Sequence, residues 1–440
     1  MRLLNAYLKK YTVFAVWVGL EMVLFLGLPR VILFPLAAHI LGKEQFGLFI
    51  FSLGIVMVVG HAPSVGLATG VIRSMAGLGD EDRQRLVAVS LFLCRVAMLV
   101  IVALGTCVVI GLWVSGLLDR GMALCLIPLF FFLGAWNLFD LQLVRCRVER
   151  RFDVRAKWFG FLSALLFLVI PAAIIGGAVG MSWAYGGAFC LAYAVLSLRK
   201  RVAVWPNPGD TVFRKTLTSI WLHVSVASAL ELSSRYVYRI MLGSFHSYAD
   251  VSVFFGATNI IDLFLSPVTI IGSMLLSLLG GFVRLRDVGP RQKLLVLCAA
   301  VLICLVCVGL LMTGGRFVLQ LLFPEFGDQS WTVLRGLILI VPCAVIVAFA
   351  RPFVVKFGPV KLIPLLNLLV LVSHLLPGLI LIPRLANKGA VLSCNIGYGL
   401  SAVLWLAALV FTMKSEEGSR SAIENELSCA ADDIAENTIN

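Results

Sequence analysis

The stretch HILGKEQFGLFIFSLG, residues 39–54, has an echo later in the chain in RIMLGSFHSYADVSVFFGA, residues 239–257. Both give an aliphatic pair, a glycine and a polar loop. A small residue, an aliphatic and a phenylalanine follow: Gly47-Leu48-Phe49 in one, Ser252-Val253-Phe254 in the other. Each reads as the end of one apolar helix, a turn and the start of the next. The second loop is longer by four residues. The alternative to an internal repeat is chance similarity between two apolar helix ends.

Outward from these two hairpins the chain is a succession of apolar runs. Each is about 20 residues or longer, the length a helix needs to cross the hydrocarbon core. The 440 residues are 60% hydrophobic and 13% charged, where a soluble domain carries roughly 25% charged residues. Mean hydropathy is +1.01. The alternating ten-residue pattern of a membrane β-barrel is absent. The expected fold class is therefore all-α, a polytopic membrane protein with about twelve spans, near 12–39, 46–70, 86–113, 122–144, 158–178, 181–198, 216–242, 251–279, 294–314, 330–350, 362–382 and 389–413. The start, MRLLNAYLKK, is basic but runs into an apolar segment with no small-residue cleavage site. It reads as a retained first span rather than a signal peptide.

Basic residues test this map. With the N-terminus inside, 26 of the 36 Lys and Arg fall in inner segments, five in outer loops and five within spans. That bias predicts that both termini lie in the cytoplasm. It also explains the net charge of +13 without nucleic acid, because the bases sit in short loops between spans. An even number of spans per half gives a parallel repeat, two pseudo-symmetric six-helix lobes around a central cavity. The basic loop around WPNPGD is the joint, so residues 1–200 form one lobe and 201–413 the other. Residues 414–440 are polar and acidic and read as a disordered cytoplasmic tail.

Ionisable residues inside spans are the candidates for function, since each costs about 2.5–3.5 kcal/mol at a helix centre on insertion scales. They are Glu21 and Arg30, Arg95, Asp140, the stripe Glu231, Arg235 and Arg239, then Asp262 and Arg335. Arg239 lies about 6 Å inside the outer end of its span, shallow enough to snorkel, while Arg235 and Glu231 lie about 12 and 18 Å deep. Glu231 and Arg235 are spaced for an i,i+4 pair. Registering Gly42 on Gly243 sets Arg30 opposite Glu231 and predicts that they pair in one conformational state. Five arginines against four acids leave a cationic interior, which suits an anionic head group. Arginine suits phosphate in particular, because its planar fork binds two oxygens. The acids Glu21, Asp140, Glu231 and Asp262 are open to two roles, structural pairing or H⁺ or Na⁺ coupling. Pro29, Pro35 and Pro63 each kink a helix and mark hinges.

Catalysis finds no support. GxSxG, HExxH and P-loop patterns are absent, and the five histidines show no metal-ligand spacing. Cys304 and Cys307 form a CxxC, but in the middle of a span, where they read as packing residues.

AAHILGKEQFGLFIFSLGI with VGLATGVIRSMAGLGDEDRQRL resembles the first two spans of bacterial polysaccharide flippases of the multidrug/oligosaccharidyl-lipid/polysaccharide exporter superfamily. RCRVERRFDVRAKW is similar to their basic loop before the fifth span, and RYVYRIMLG to their seventh span. The resemblance implies alternating access about a cationic cavity in the bacterial inner membrane. The implied substrate is a polyprenyl-diphosphate-linked O-antigen or capsule unit, bound by Arg30, Arg95, Arg235 and Arg239. Membrane lipids surround the protein, and polysaccharide polymerase and chain-length machinery act beside it. Many relatives carry an acidic residue at the position of Ser234, and here the nearest acid is Glu231, one turn earlier, so the resemblance does not carry an ion-coupling residue over to this position. Two alternatives are a multidrug or cation antiporter of the same superfamily and a membrane polysaccharide polymerase or ligase.

Overall fold

The computed structural model describes residues 16–17, 19–20, 23–60, 64, 66–68, 71, 80–148, 151–200, 211–279, 290–359 and 362–439. Two π-helical segments, Val23–Gly27 and Pro29–Leu33, lead into α1, Phe34–Gly60. After it come α2 Asp80–Val114, α3 Arg120–Val148, α4 Phe152–Leu166 and α5 Val169–Lys200. Then follow α6 Thr211–Phe245, α7 Tyr248–Leu279, α8 Pro290–Leu322, α9 Gly327–Leu337, α10 Ile340–Phe357 and α11 Leu362–Ile439. Among the described residues, eight helices are long and apolar enough to cross a membrane. Their outward faces are apolar, with Leu99, Leu104 and Val108 on α2 and Leu297, Val301 and Leu305 on α8 exposed. In lipid such faces are solvated, and only the backbone polar groups must be paired internally.

Three helices fold back on themselves: α1 at Gly42 (φ 68°), α5 at Gly177 (φ 60°) and α11 at Ala386 (φ 49°). Each break lies at or close to an expected outer loop. Glycine enters this left-handed region freely, whereas alanine is held there by its surroundings. The turns gather at one end of the molecule. Ser252 donates to the Lys43 carbonyl (2.6 Å), Asn387 to Asp250 (2.7 Å) and Lys43 to Gln329 (3.2 Å). A Cβ at Gly47 would run into the Tyr248 carbonyl, so α1 and α7 pass with backbones nearly touching.

Buried asparagines repair the irregular helices. In the π-helical segment the Phe34 N–H bonds the Pro29 carbonyl. The next bond of that series would run from residue 35 to Arg30, but Pro35 has no N–H. Asn259 Nδ2 on α7 donates to the Arg30 carbonyl instead (3.0 Å). At the end of α1, Asn137 donates to the Gly60 carbonyl (3.2 Å) and accepts from the Ser64 N–H (3.3 Å). Pro63 itself lies outside the described residues.

Elements before residue 200 pack largely on one another, as do those after 211, while α1 also meets α6 and α7. The last helix runs on to Ile439, through residues 414–439, where the sequence suggests a disordered tail. That run has no proline and one glycine, Gly418, so nothing in its backbone chemistry ends a helix there.

Candidate functional site

α6 delivers its charged stripe to a cavity of about 660 Å³, lined by α6, α7, α10, α11, the Pro29–Leu33 segment and parts of α1, α3, α4 and α5. Glu231 accepts from two arginines through one oxygen: Arg235 Nη2 at 2.9 Å and Arg351 Nη1 at 2.6 Å. The Arg351 guanidinium lies 5.9 Å from the ring centre of Trp405, which holds it over the carboxylate. Arg30, reaching in from Pro29–Leu33, pairs with Asp262 of α7 at 3.3 Å. Arg239 is 9% exposed and stands over Phe255 and Tyr236 at 5.0 and 5.2 Å. Its Nη2 donates to Thr258 (3.2 Å). Arg239 Nε and Arg30 Nη1 have no hydrogen-bond partner among the described residues.

The opposite wall is aromatic. Phe34, Phe132, Tyr185 and Phe189 line it, with Phe132 and Phe189 rings 4.7 Å apart and Phe132 and Tyr185 rings 5.0 Å apart. Among the described lining residues Arg30, Arg235, Arg239 and Arg351 outnumber Glu231 and Asp262. One side of the cavity is thus cationic and hydrogen-bonding, and the other flat and apolar.

Several sequence expectations change here. In this structure Arg30 pairs with Asp262, while the i,i+4 neighbour Arg235 and the α10 residue Arg351 occupy Glu231, so the Arg30–Glu231 pair expected of one conformational state is not formed here. Arg95 does not line the cavity; its Nε donates to Tyr193 of α5 at 3.4 Å. Asp140 is likewise away from it, bonded to Arg155 at 2.9 Å. Arg155, read as an inner-loop base, is 1% exposed within α4. Pro29 lines the cavity, and Pro35 lies one residue beyond the π-helical turn that ends beside it. Glu21 lies outside the described residues.

Arg351 was missed because it falls one residue past the expected end of span 10 at 350 and was read as a loop base. The helix continues to Phe357. The signal was there: Arg351 and Pro352 interrupt an unbroken apolar run, and a charge so placed faces protein or water.

The fold is that of known transporters. An outward-facing multidrug resistance MATE family transporter of the MOP superfamily superposes with TM-score 0.70 at 17% identity, over 91% of this chain and 96% of that one. Its inward-facing conformation gives TM-score 0.67 at 17% identity, over 92% and 99%. The lipid II flippase MurJ in an inward closed conformation gives TM-score 0.68 at 11% identity, over 92% and 87%. No family model and no curated relative matches the chain. The described residues adopt the expected all-α fold, with helices long and apolar enough to cross a membrane.

Proposed function

We propose that this chain is a flippase that carries a polyprenyl-diphosphate-linked oligosaccharide from the cytoplasmic to the periplasmic leaflet of the bacterial inner membrane. The observation that carries this reading is the excess of arginine over carboxylate in the cavity. A diphosphate supplies oxygens that a pair of guanidiniums binds in parallel, and it would satisfy the donors left over on Arg30 and Arg239 after a small shift. The aromatic wall offers sugar rings an apolar face, while the polyprenyl tail stays in lipid. Residues 1–200 and 201–413 act as two lobes, with both termini cytoplasmic. Rocking of the lobes about Pro29, Pro35 and the Gly42 turn exposes the cavity to either side. H⁺ or Na⁺ supplies the drive, and polymerase and chain-length machinery take the product.

A second reading, an exporter of cationic drugs, draws on the fold of the MATE transporters; Glu231 and Asp262 would be its cation ligands. Deletion and complementation separate the two. The flippase reading expects loss of surface polysaccharide, with lipid-linked units accumulating on the cytoplasmic leaflet. Normal surface glycan with altered dye efflux overturns it.

A further inference from the structure

We propose that His374 is the site that binds the coupling proton, in a hydrogen-bond network joining α6 to both arms of α11. This rests on the reading of the chain as an ion-driven transporter. His374 is 2% exposed, yet it lines the cavity together with Tyr238, Cys394, Tyr398 and Ser401. It belongs to the arm of α11 before the Ala386 break; Ser393, Gly397 and Ser401 belong to the arm after it. Gly397 makes room for the ring, since a Cβ there would lie 2.6 Å from Nδ1.

The hydrogens can be counted. Tyr238 Oη lies 2.7 Å from His374 Nδ1 and 2.9 Å from the Ser393 carbonyl. His374 Nε2 lies 3.3 Å from Ser401 Oγ, and that hydroxyl donates its one hydrogen to the Gly397 carbonyl at 2.7 Å. Ser401 therefore accepts from His374, and Nε2 carries a proton. With a neutral ring, Tyr238 donates to Nδ1. With a charged ring, Nδ1–H donates to Tyr238, which turns its hydrogen to the Ser393 carbonyl. Both protonation states are fully bonded, and the change between them is one hydroxyl rotation. A buried imidazolium without such partners is costly. The Tyr398 ring, edge-on at 5.1 Å, stands close beside it.

The ring is touched by Tyr238 of α6 and by Gly397, Tyr398 and Ser401 of the far arm of α11. The charged groups of the same cavity are Glu231, Arg235 and Arg239 from α6, Asp262 from α7, Arg351 from α10 and Arg30. Tyr398 interacts electrostatically with Arg235, Arg239 and Asp262. A charge gained at His374 adds to the positive charge of the cavity it lines. It would strengthen the hold on an anionic head group in one half of the cycle, and its loss would weaken that hold in the other.

The test follows the ring nitrogens of full-length protein, ¹⁵N-histidine labelled in bilayers, with His374→Gln to assign the signal. Acidification from about pH 9 to about pH 3 should convert a ring protonated at Nε2 alone into one protonated at both nitrogens. Tyr238→Phe removes the acceptor for Nδ1–H and should lower proton affinity about tenfold or more. A ring that stays neutral throughout in folded protein overturns the proposal, as does a titration that Tyr238→Phe leaves unmoved. In proteoliposomes carrying a fluorescent polyprenyl-diphosphate oligosaccharide, an imposed pH gradient should accelerate flipping by wild type but not by His374→Gln. Equal acceleration in both overturns the coupling role. If wild type moves no lipid at all, the flippase reading fails, while the ring titration still decides the proton site.

Discussion

Two groups of ion pairs in this molecule use the same chemistry in different settings. Asp140 and Arg155, on α3 and α4, meet at 2.9 Å with side chains 13% and 2% exposed. The Arg155 guanidinium is also stacked 5.0 Å from the Phe159 ring centre. Around the cavity, Arg235, Glu231, Arg351, Arg30 and Asp262 keep between 20% and 55% of their side chains exposed. The enclosed pair ties two helices of one half together. Of the cavity pairs, Arg30–Asp262 joins elements that must part if the lobes rock, whereas Glu231, Arg235 and Arg351 all belong to the stretch after residue 211. A charge in a bilayer is therefore not by itself a sign of function. What separates the two groups is whether a ligand can reach them.

The enclosed pair should be the more costly to break. Arg155→Met removes one bonded partner of a mostly buried carboxylate, and the loss should be about 3 kcal/mol of stability, read as a lowered unfolding temperature of purified protein. Arg155→Met with Asp140→Leu should recover most of it, because the desolvation cost goes with the charges. If the single variant unfolds like wild type, the contrast between the groups is lost. At the cavity the expected outcome is opposite in kind. Arg351→Ala should leave the unfolding temperature nearly unchanged and cut flipping about thirtyfold or more, the scale of losing one hydrogen-bonded charge at a binding site. Arg351→Lys should restore only part of the activity, since lysine keeps the charge without the fork.

Arg155 and Arg351 also mark the limit of what was legible in the sequence. Run length was sufficient to place the turns at Gly42, Gly177 and Ala386, because a span of apolar residues must close its backbone hydrogen bonds within a helix once a barrel pattern is absent. Helix ends were not so determined. Arg155 and Arg351 each sat at an expected boundary, where a base normally belongs to a loop, and a shift of a few residues turned both into interior charges. The α6 stripe was legible because 3.6-residue periodicity fixes which side chains share a face. Partner choice was not, since it depends on which helices lie across the gap. Hence Arg30 was matched to Glu231 by repeat symmetry, although Asp262 is the residue that faces it. The asparagines that cap broken helices were invisible too, since an isolated Asn has no periodicity to betray it.

Glu231→Gln tests the sign of the cavity. It frees Arg235 and Arg351 from a carboxylate that otherwise competes with the substrate for them. An anionic substrate should then bind about tenfold more tightly and leave more slowly, visible as a lower half-saturating concentration with a lower maximal rate. A cationic substrate should bind more weakly, since of the two cavity carboxylates only Asp262 remains. The two functional readings thus part on one variant, with no change in which helices touch.

The smallest effect is expected at the pair that spans the two halves. Arg30 and Asp262 are 3.3 Å apart and partly wet, with side chains 24% and 44% exposed. Exposed pairs of this kind are worth roughly 1 kcal/mol or less. Arg30→Asp or Asp262→Arg alone sets like charges face to face and should slow flipping several-fold. The double reversal should recover part of the rate, with a coupling energy of about 1 kcal/mol. Recovery will be incomplete, because the Arg30 guanidinium also carries a donor that an anionic head group can use, and aspartate at that position repels it. Full recovery would mean that Arg30 acts only through Asp262. No recovery would mean that the pair is incidental and that Arg30 acts on the substrate alone. The intermediate result alone fits a residue that latches the two halves when the cavity is empty and releases the latch to a phosphate when it is filled.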